Sequence, residues 1–290
     1  MVRLILAFAW AMAAPATSPA TAHLDRGQKL FQKGDVDGAL RAFEEGAKAD
    51  PKDPRAPYLR GVALEKKGNA PAAEAAYREA LARDARLAEA HLNLGSLLLG
   101  KGKTAEAEAA FTAATRSKPE LAEGHYNLGV IYDGSGRARE AVQAYRAAVK
   151  LRPDDATYHL NLGAALRRTG DGKSAIAAFQ EATRLDGKNA VAWTNLGLVL
   201  SDERALDDAR VALERATKAD PRYAPAWNGL GRVEHKRKAL DAAVAALTRA
   251  RELAPKDAGY AADLCRATVD RDPKAAAGVP PCRPPLALEG

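Results

Sequence analysis

A pattern that recurs every 34 residues limits what this chain can fold into more than any other feature. In residues 122–155, Leu128 and Gly129 lie at positions 7 and 8, Tyr145 at position 24 and Pro153 at position 32. The same frame continues without a slip through seven repeats: residues 20–53, 54–87, 88–121, 122–155, 156–189, 190–223 and 224–257. Such a period predicts a stack of similar units rather than one compact core.

Each repeat is predicted to form two helices joined by a turn. Apolar and small residues at positions 4, 7, 8 and 11, and again at 20, 24 and 27, follow helical spacing. Glycine at position 15 suits a left-handed residue that ends the first helix, and proline at position 32 ends the second. Arg204 and Lys238 replace that glycine, and Ala85 and Gly187 replace that proline. At these four places the sequence gives the weakest indication of where the helix ends.

The repeat resembles the tetratricopeptide repeat (TPR), which has an aromatic residue, Leu-Gly, an aromatic residue, Ala, an aromatic residue and Pro at these spacings. Leu213 and Leu247 stand in place of the third aromatic residue in repeats 6 and 7. The resemblance implies an all-α fold, a right-handed TPR solenoid of seven helix-turn-helix repeats. It also implies that the first helices line a concave groove in which a partner binds.

The frame continues for half a repeat beyond residue 257, with Leu264 at position 7. Residues 258–271 are therefore predicted to form a capping helix, and the proline-rich tail, residues 272–290, is predicted to be non-helical. The only two cysteines, Cys265 and Cys282, lie in these segments. In an oxidising compartment we expect a disulfide between them that fixes the tail to the capping helix. Two unrelated buried thiols are the alternative.

Residues 1–22 differ in kind from the repeats and are predicted to be a signal peptide. One arginine precedes an uncharged run, residues 4–14, and small residues and prolines follow. This is the layout of a secretory signal, with cleavage sites at residues 20–22 and 14–16. The apolar run is too short to span a bilayer, so we expect membrane contact only if the signal is not cleaved. We expect an exported protein, periplasmic in a bacterium or else secreted, whose first helix begins near Leu24.

The net charge of +7 raises the question of nucleic acid binding. Basic residues, however, alternate with acidic ones along the second helices, as in Arg78 with Glu79 and Arg210 with Glu214. This arrangement is typical of a solvated helix face. We therefore expect no nucleic acid partner, and the charge favours an acidic protein partner instead.

The residue types that serve catalysis and metal binding do not form recognisable sites. His91, His125 and His159 share position 4, but Trp193 and Trp227 fill that position in later repeats. Packed rings are therefore predicted rather than a metal site, because helices pack about 8–10 Å apart whereas zinc needs nitrogens within about 2 Å. Nucleophile, phosphate-loop and metalloprotease motifs are absent from the sequence. We expect no catalytic residues and no cofactor, so the protein is not predicted to be an enzyme.

Four asparagines share position 6 of successive repeats: Asn93, Asn127, Asn161 and Asn195. The resemblance implies that this position faces the groove or its edge. A row of amides there could donate to and accept from the backbone of an extended peptide. Local contacts within each helix are the alternative.

Further groove residues are apolar in the middle of the chain and basic in its second half: Tyr126, Leu160, Arg167, Arg168, Arg232 and Lys236. They suit a ligand with an apolar centre and an acidic end. We expect a monomeric scaffold or adaptor that binds an extended peptide or partner protein, as an assembly factor of the cell envelope. The alternative is a protein that binds cell wall or polysaccharide.

Overall fold

The computed structural model describes residues 18–272, so residues 1–17 of the predicted signal peptide and the tail after Asp272 lie outside this range. The described residues form fifteen α-helices and no strand. The chain divides into an N-terminal block, Met1–Arg137, and a C-terminal block, Ala138–Gly290. Each block is a series of helical hairpins. The predicted all-α fold of helix-turn-helix repeats is therefore confirmed.

The N-terminal block contains seven of the described helices. They are α1 (Pro19–Gln32), α2 (Val36–Ala49), α3 (Arg55–Lys66), α4 (Ala70–Arg83), α5 (Ala88–Gly100), α6 (Thr104–Ser117) and α7 (Ala122–Gly134). Within this block α1, α3 and α5 each pack against the second helix of their own repeat, and each second helix packs against the first helix of the next repeat.

The C-terminal block contains the other eight described helices. They are α8 (Ala138–Leu151), α9 (Ala156–Arg168), α10 (Gly172–Leu185), α11 (Ala190–Asp202), α12 (Leu206–Ala219), α13 (Ala224–Lys236), α14 (Leu240–Leu253) and α15 (Ala258–Arg271). The packing order is the same, and α15 occupies the range of the predicted capping helix against α14 and α13.

The turn inside each hairpin has one residue in the left-handed region, always at position 15, with φ between 63° and 85°. These residues are Gly34, Gly68, Gly102, Gly136, Gly170, Arg204 and Lys238. The two non-glycine residues therefore keep the same turn, and α11 and α13 end at the same position as the other first helices. At Ala85 and Gly187 the missing proline also changes nothing, because α4 and α10 end at position 30 like every other second helix.

Close packing inside the hairpins that lie within one block explains the glycine at position 8. A Cβ added at Gly95 would lie 2.7 Å from the ring of Phe111, and one at Gly231 would lie 2.4 Å from Leu247. Non-bonded carbon atoms do not approach this closely, so the side chain at position 24 leaves room only for glycine at position 8. Leu247 is buried as completely as the aromatic residues that it replaces. The hairpin core thus accepts leucine at position 24 without a change in geometry.

The first helix begins earlier than expected, at Pro19 instead of near Leu24. Ser18 caps α1, because its side chain accepts a hydrogen bond from the backbone N–H of Thr21 at 3.2 Å. Proline at the first helical position also favours this start, since its missing N–H would have no partner there. None of the described helices is long and apolar enough to cross a membrane.

Candidate functional site

The predicted binding residues all lie on first helices. In the N-terminal block, Asn93 lies on α5, and Tyr126 and Asn127 lie on α7. In the C-terminal block, the residues are Leu160, Asn161, Arg167 and Arg168 on α9, Asn195 on α11, and Arg232 and Lys236 on α13. Of the predicted disulfide, Cys265 is half-buried on α15, and Cys282 lies outside the described residues.

The asparagines at position 6 do not share one environment. Asn93 donates through Nδ2 to the hydroxyl oxygen of Tyr58 in the preceding repeat, at 3.4 Å. Asn195 instead donates through Nδ2 to the backbone oxygen of Val191 in its own helix, at 3.0 Å. Asn127 is only 5% exposed. Asn93 and Asn195 both keep the amide oxygen as an acceptor, so a peptide N–H is the group that they could still bind.

Contacts between residues 35 apart link the first helices of the C-terminal block along one edge. Arg167 donates to Asp202 through Nε at 3.1 Å and Nη2 at 2.9 Å. Lys236 donates through Nζ to the hydroxyl of Ser201 at 2.8 Å. His235 Nε2 lies 2.7 Å from the carboxylate of Asp270 on α15. Two of the predicted groove cations therefore also join neighbouring repeats, as position 12 of one repeat meets position 13 of the next.

Arg232 has weaker contacts with its neighbours than Arg167 and Lys236 have. Its side chain is 54% exposed, and Asp263 on α15 lies 3.9 Å from its Nε. The same carboxylate accepts a hydrogen bond from Asn228 at 3.0 Å and lies 3.9 Å from Arg266. Two arginines thus share one carboxylate at the far limit of an ion pair. Their guanidinium groups can still donate to an added acidic group.

A buried polar network in the N-terminal block was not foreseen from the sequence. The hydroxyl of Tyr77 donates to Glu65 at 2.7 Å, and the Tyr77 ring lies 6.1 Å from that of Tyr58. Burial raises the pKa of the Glu65 carboxyl, and burial also raises the pKa values of Tyr58 and Tyr77. Two sequence features could have indicated this network. Repeat 2 has a tyrosine at position 24, where repeats 1, 3 and 5 have phenylalanine, and it has a glutamate at position 12.

The rings at position 4 each make the same kind of hydrogen bond, and this bond joins consecutive repeats. Each ring nitrogen meets the backbone oxygen six residues earlier, at 2.8–3.0 Å: His91 to Ala85, His125 to Pro119, His159 to Pro153, Trp193 to Gly187 and Trp227 to Pro221. An indole N–H can only donate, so the equivalent histidines are expected to have their proton on Nε2. Among residues 18–272 no group of three or more His, Cys, Asp or Glu side chains is placed to hold a metal ion.

One cleft in the C-terminal block lies beside the predicted cation Lys236. It has a volume of about 520 Å³ and is lined by Ser201, Asp202, Arg204, Leu206 and Lys236. Its wall includes the strained turn residue Arg204 and the Ser201 hydroxyl that binds Lys236. The cleft is therefore polar, with more basic than acidic groups.

The repeat signature and the hairpin geometry can be compared with known proteins. The family model of the tetratricopeptide repeat matches residues 24–88, 92–134, 126–190 and 194–258, which is well over half of the chain. The chain belongs to the tetratricopeptide repeat family. TPR proteins are in general non-enzymatic scaffolds that bind other proteins. A search of curated proteins gives no match.

Several solved TPR structures are similar to this chain. YrrB, described as a TPR protein with an unusual peptide-binding site, aligns at a TM-score of 0.60 and 21% identity, over 66% of this chain and 97% of YrrB. MamA from Desulfovibrio magneticus RS-1 aligns at 0.52 and 26%, over 60% and 99%. The C-terminal part of a TPR protein from Cytophaga hutchinsonii aligns at 0.64 and 15%, over 83% and 99%. These alignments agree with the repeat fold.

Proposed function

We propose that this protein binds an extended peptide, or an extended segment of a partner protein, on the face formed by the first helices of its C-terminal block. The bound segment would have apolar residues followed by an acidic group. In this role the protein is a monomeric adaptor for assembly in the cell envelope. Its membership of a family of protein-binding scaffolds supports the first part of the proposal, as does the peptide-binding site described for YrrB.

The observation that supports this most is the order of half-exposed side chains on successive first helices. Leu160 on α9 and Leu198 on α11 are half-buried, and Arg232 on α13 is exposed with its nearest carboxylate at 3.9 Å. Apolar side chains provide area that a ligand can cover, and the arginine selects an acidic group next to it. Because such contacts are spread over several repeats, each should contribute modestly to affinity.

The asparagines have a secondary role in this proposal. Asn195 comes three residues before Leu198 on α11, and its amide oxygen is not used by the bond from its Nδ2 to Val191. It could accept a hydrogen bond from a backbone N–H of the bound peptide, largely independent of the peptide's sequence. Asn127 is a poor target for testing this idea, because its burial means that substitution would also disturb packing.

Photo-crosslinking in intact cells tests the proposal. Benzoylphenylalanine is placed at Leu198 on the first-helix face or, as a control, at Val211, which is 40% exposed on the second helix α12. We expect a defined partner to be captured from position 198 only. The purified partner should then lose affinity for the Leu198→Glu/Arg232→Glu double variant and keep it for Val211→Glu. Equal capture at both positions, or unchanged affinity of the double variant, would refute the proposed face.

The alternative, binding to cell wall or polysaccharide, has a simpler test. The purified protein is mixed with purified wall material and sedimented. Cosedimentation that persists in the Leu198→Glu/Arg232→Glu variant would favour a glycan ligand held elsewhere on the molecule. If the protein does not cosediment with the wall material, a protein partner remains the proposed ligand.

Export and the disulfide form the last part of the proposal. Cleavage after Ala22 would remove Ser18 and the first four residues of α1, whereas cleavage after Ala16 leaves the capped helix whole. We therefore favour the second site. In an oxidising compartment the Cys265–Cys282 bond would contribute about 3 kcal/mol in the chain-entropy model. Mass analysis of protein purified from the envelope should show one disulfide, and two free thiols would contradict it.

A further inference from the structure

The polar cleft in the C-terminal block lies where three helices and a turn meet. The end of α11 contributes Ser201 and Asp202, the turn contributes Arg204, α12 begins with Leu206, and the end of α13 contributes Lys236. Its volume of about 520 Å³ lies within the range of about 300–1,000 Å³ that is usual for small-molecule sites. The cleft is therefore large enough for a small ligand.

The contacts between repeats 6 and 7 differ in charge from those on either side. Arg167 at position 12 of repeat 5 donates to Asp202 at position 13 of repeat 6. His235 at position 12 of repeat 7 lies 2.7 Å from Asp270, which has position 13 on α15. Between repeats 6 and 7, position 13 is Lys236, and it meets the neutral Ser201. A cation thus stands where the other two contacts have a carboxylate.

Three donors around the cleft have no acceptor. Lys236 donates to Oγ of Ser201 at 2.8 Å and to its backbone oxygen at 3.5 Å, which leaves at least one N–H unused. Ser201 is only 6% exposed, and in the described part of the chain its hydroxyl proton has no acceptor. Thr194 on the same helix, by contrast, donates to Ala190 four residues earlier. The guanidinium of Arg204 also has no hydrogen bond or ion pair with a described residue.

The charge of the cleft indicates which acceptor fits. Asp202 is the carboxylate in its wall, and Arg167 already holds that group through two hydrogen bonds at 2.9 and 3.1 Å. Neither Arg204 nor Lys236 pairs with a carboxylate among the described residues. Two positive charges are therefore uncompensated. A carboxylate carries one negative charge, whereas a phosphate monoester carries about 1.5–2 at pH 7 and has three strong acceptor oxygens.

We propose that this cleft binds the phosphate group of a phosphomonoester. Arg204 and Lys236 donate charge-assisted hydrogen bonds to its oxygens, and the buried hydroxyl of Ser201 donates a third bond. Leu206 offers an apolar contact to the group that carries the phosphate. This site goes beyond the proposed peptide binding and does not depend on it, because the peptide-binding face uses neither Arg204 nor Ser201.

Two glycine variants provide a matched pair for the test. Arg204→Gly removes the guanidinium without disturbing the turn, because five other repeats have glycine in the same left-handed position. Lys238→Gly makes the same change of charge and backbone in the next repeat, but Lys238 does not line the cleft. A difference in binding between the two variants therefore reports on the cleft and not on net charge or folding.

Isothermal titration calorimetry of the purified full-length chain in a phosphate-free buffer tests the site. Inorganic phosphate is the probe, and acetate at the same ionic strength is the reference. We expect saturable phosphate binding that Arg204→Gly and Lys236→Gln each weaken about tenfold, the effect of losing one charge-assisted hydrogen bond. Lys238→Gly should leave the affinity unchanged. No saturable phosphate binding, equal affinity for acetate, or equal losses in the two glycine variants would overturn the proposal.

Two further probes distinguish a soluble ligand from a lipid headgroup. Glycerol 3-phosphate and phosphatidic acid both carry a phosphomonoester. Cosedimentation with phosphatidylcholine vesicles that contain phosphatidic acid, lost in Arg204→Gly and kept in Lys238→Gly, would place the phosphate in a headgroup. Binding of glycerol 3-phosphate without vesicle binding would indicate a soluble ligand. Failure of both probes to bind would overturn the proposal, whether or not the protein binds a peptide.

Discussion

Replacing Arg204 by glycine should stabilise the C-terminal block. Arg204 has φ of 63° in a turn where five other repeats have glycine. Its side chain makes no hydrogen bond or ion pair within the described part of the chain, so little is lost when it is removed. The backbone term therefore dominates the effect of the substitution.

The magnitude follows from two opposing terms. The left-handed conformation costs a residue with a Cβ about 1–2 kcal/mol. Glycine removes that cost but loses about 0.5–1 kcal/mol more conformational entropy on folding. We expect Arg204→Gly to raise the free energy of unfolding by about 0.5–1 kcal/mol, and the melting temperature by about 2 °C for a chain of this size.

Gly170 offers the matched reverse change. It has φ of 81° in the turn of repeat 5, and a Cβ added there would have no atom within 4 Å. Gly170→Ala should therefore destabilise by a similar amount through the backbone alone. Urea unfolding followed by circular dichroism gives both values, and hydrogen exchange should place the changes in the affected hairpins, because repeat arrays need not unfold in one step. If Gly170→Ala is destabilising but Arg204→Gly is neutral, Arg204 is not strained and the reasoning fails.

Three further predictions concern the ring at position 4, the buried carboxyl and the signal. Trp193→Phe removes the bond to the backbone oxygen of Gly187 and should cost about 0.5–1.5 kcal/mol in urea unfolding, whereas Trp193→His keeps a donor and should cost less; equal costs would contradict this. Because burial raises the pKa of Glu65, the stability from its protonated form is present below the ordinary value of 4.5 and is lost as the pH rises through the folded pKa. Glu65→Gln should thus be more favourable, relative to the unmodified protein, at pH 7 than at pH 4, and a pH-independent difference would argue against a perturbed carboxyl. N-terminal sequencing of exported protein should begin at Thr17, and a start within α1 would argue for the other site.

The sequence was sufficient to predict the hairpins because their periodicity records how one helix packs on the next. It was less informative at the turns that lack glycine. Arg204 and Lys238 adopt the left-handed conformation because the helices on both sides are fixed by packing, with Leu213 and Leu247 seated against the glycines at position 8. The conformational preferences of arginine and lysine alone would predict that those helices end at other residues. Tertiary packing therefore overrides the residue's own preference at a cost that the experiments above can measure.

The candidate site was less predictable because its contacts depend on the residue 35 positions away, one more than the repeat. Asn93 reaches back to the hydroxyl of Tyr58, and Asp263 accepts a hydrogen bond from Asn228 in the same way. The residue 35 positions before Asn195 is Leu160, which has no polar group, so Asn195 bonds to its own helix instead. A row of identical residues in the sequence is thus not a row of identical groups. What each asparagine can offer a ligand depends on whether the preceding repeat already uses its amide.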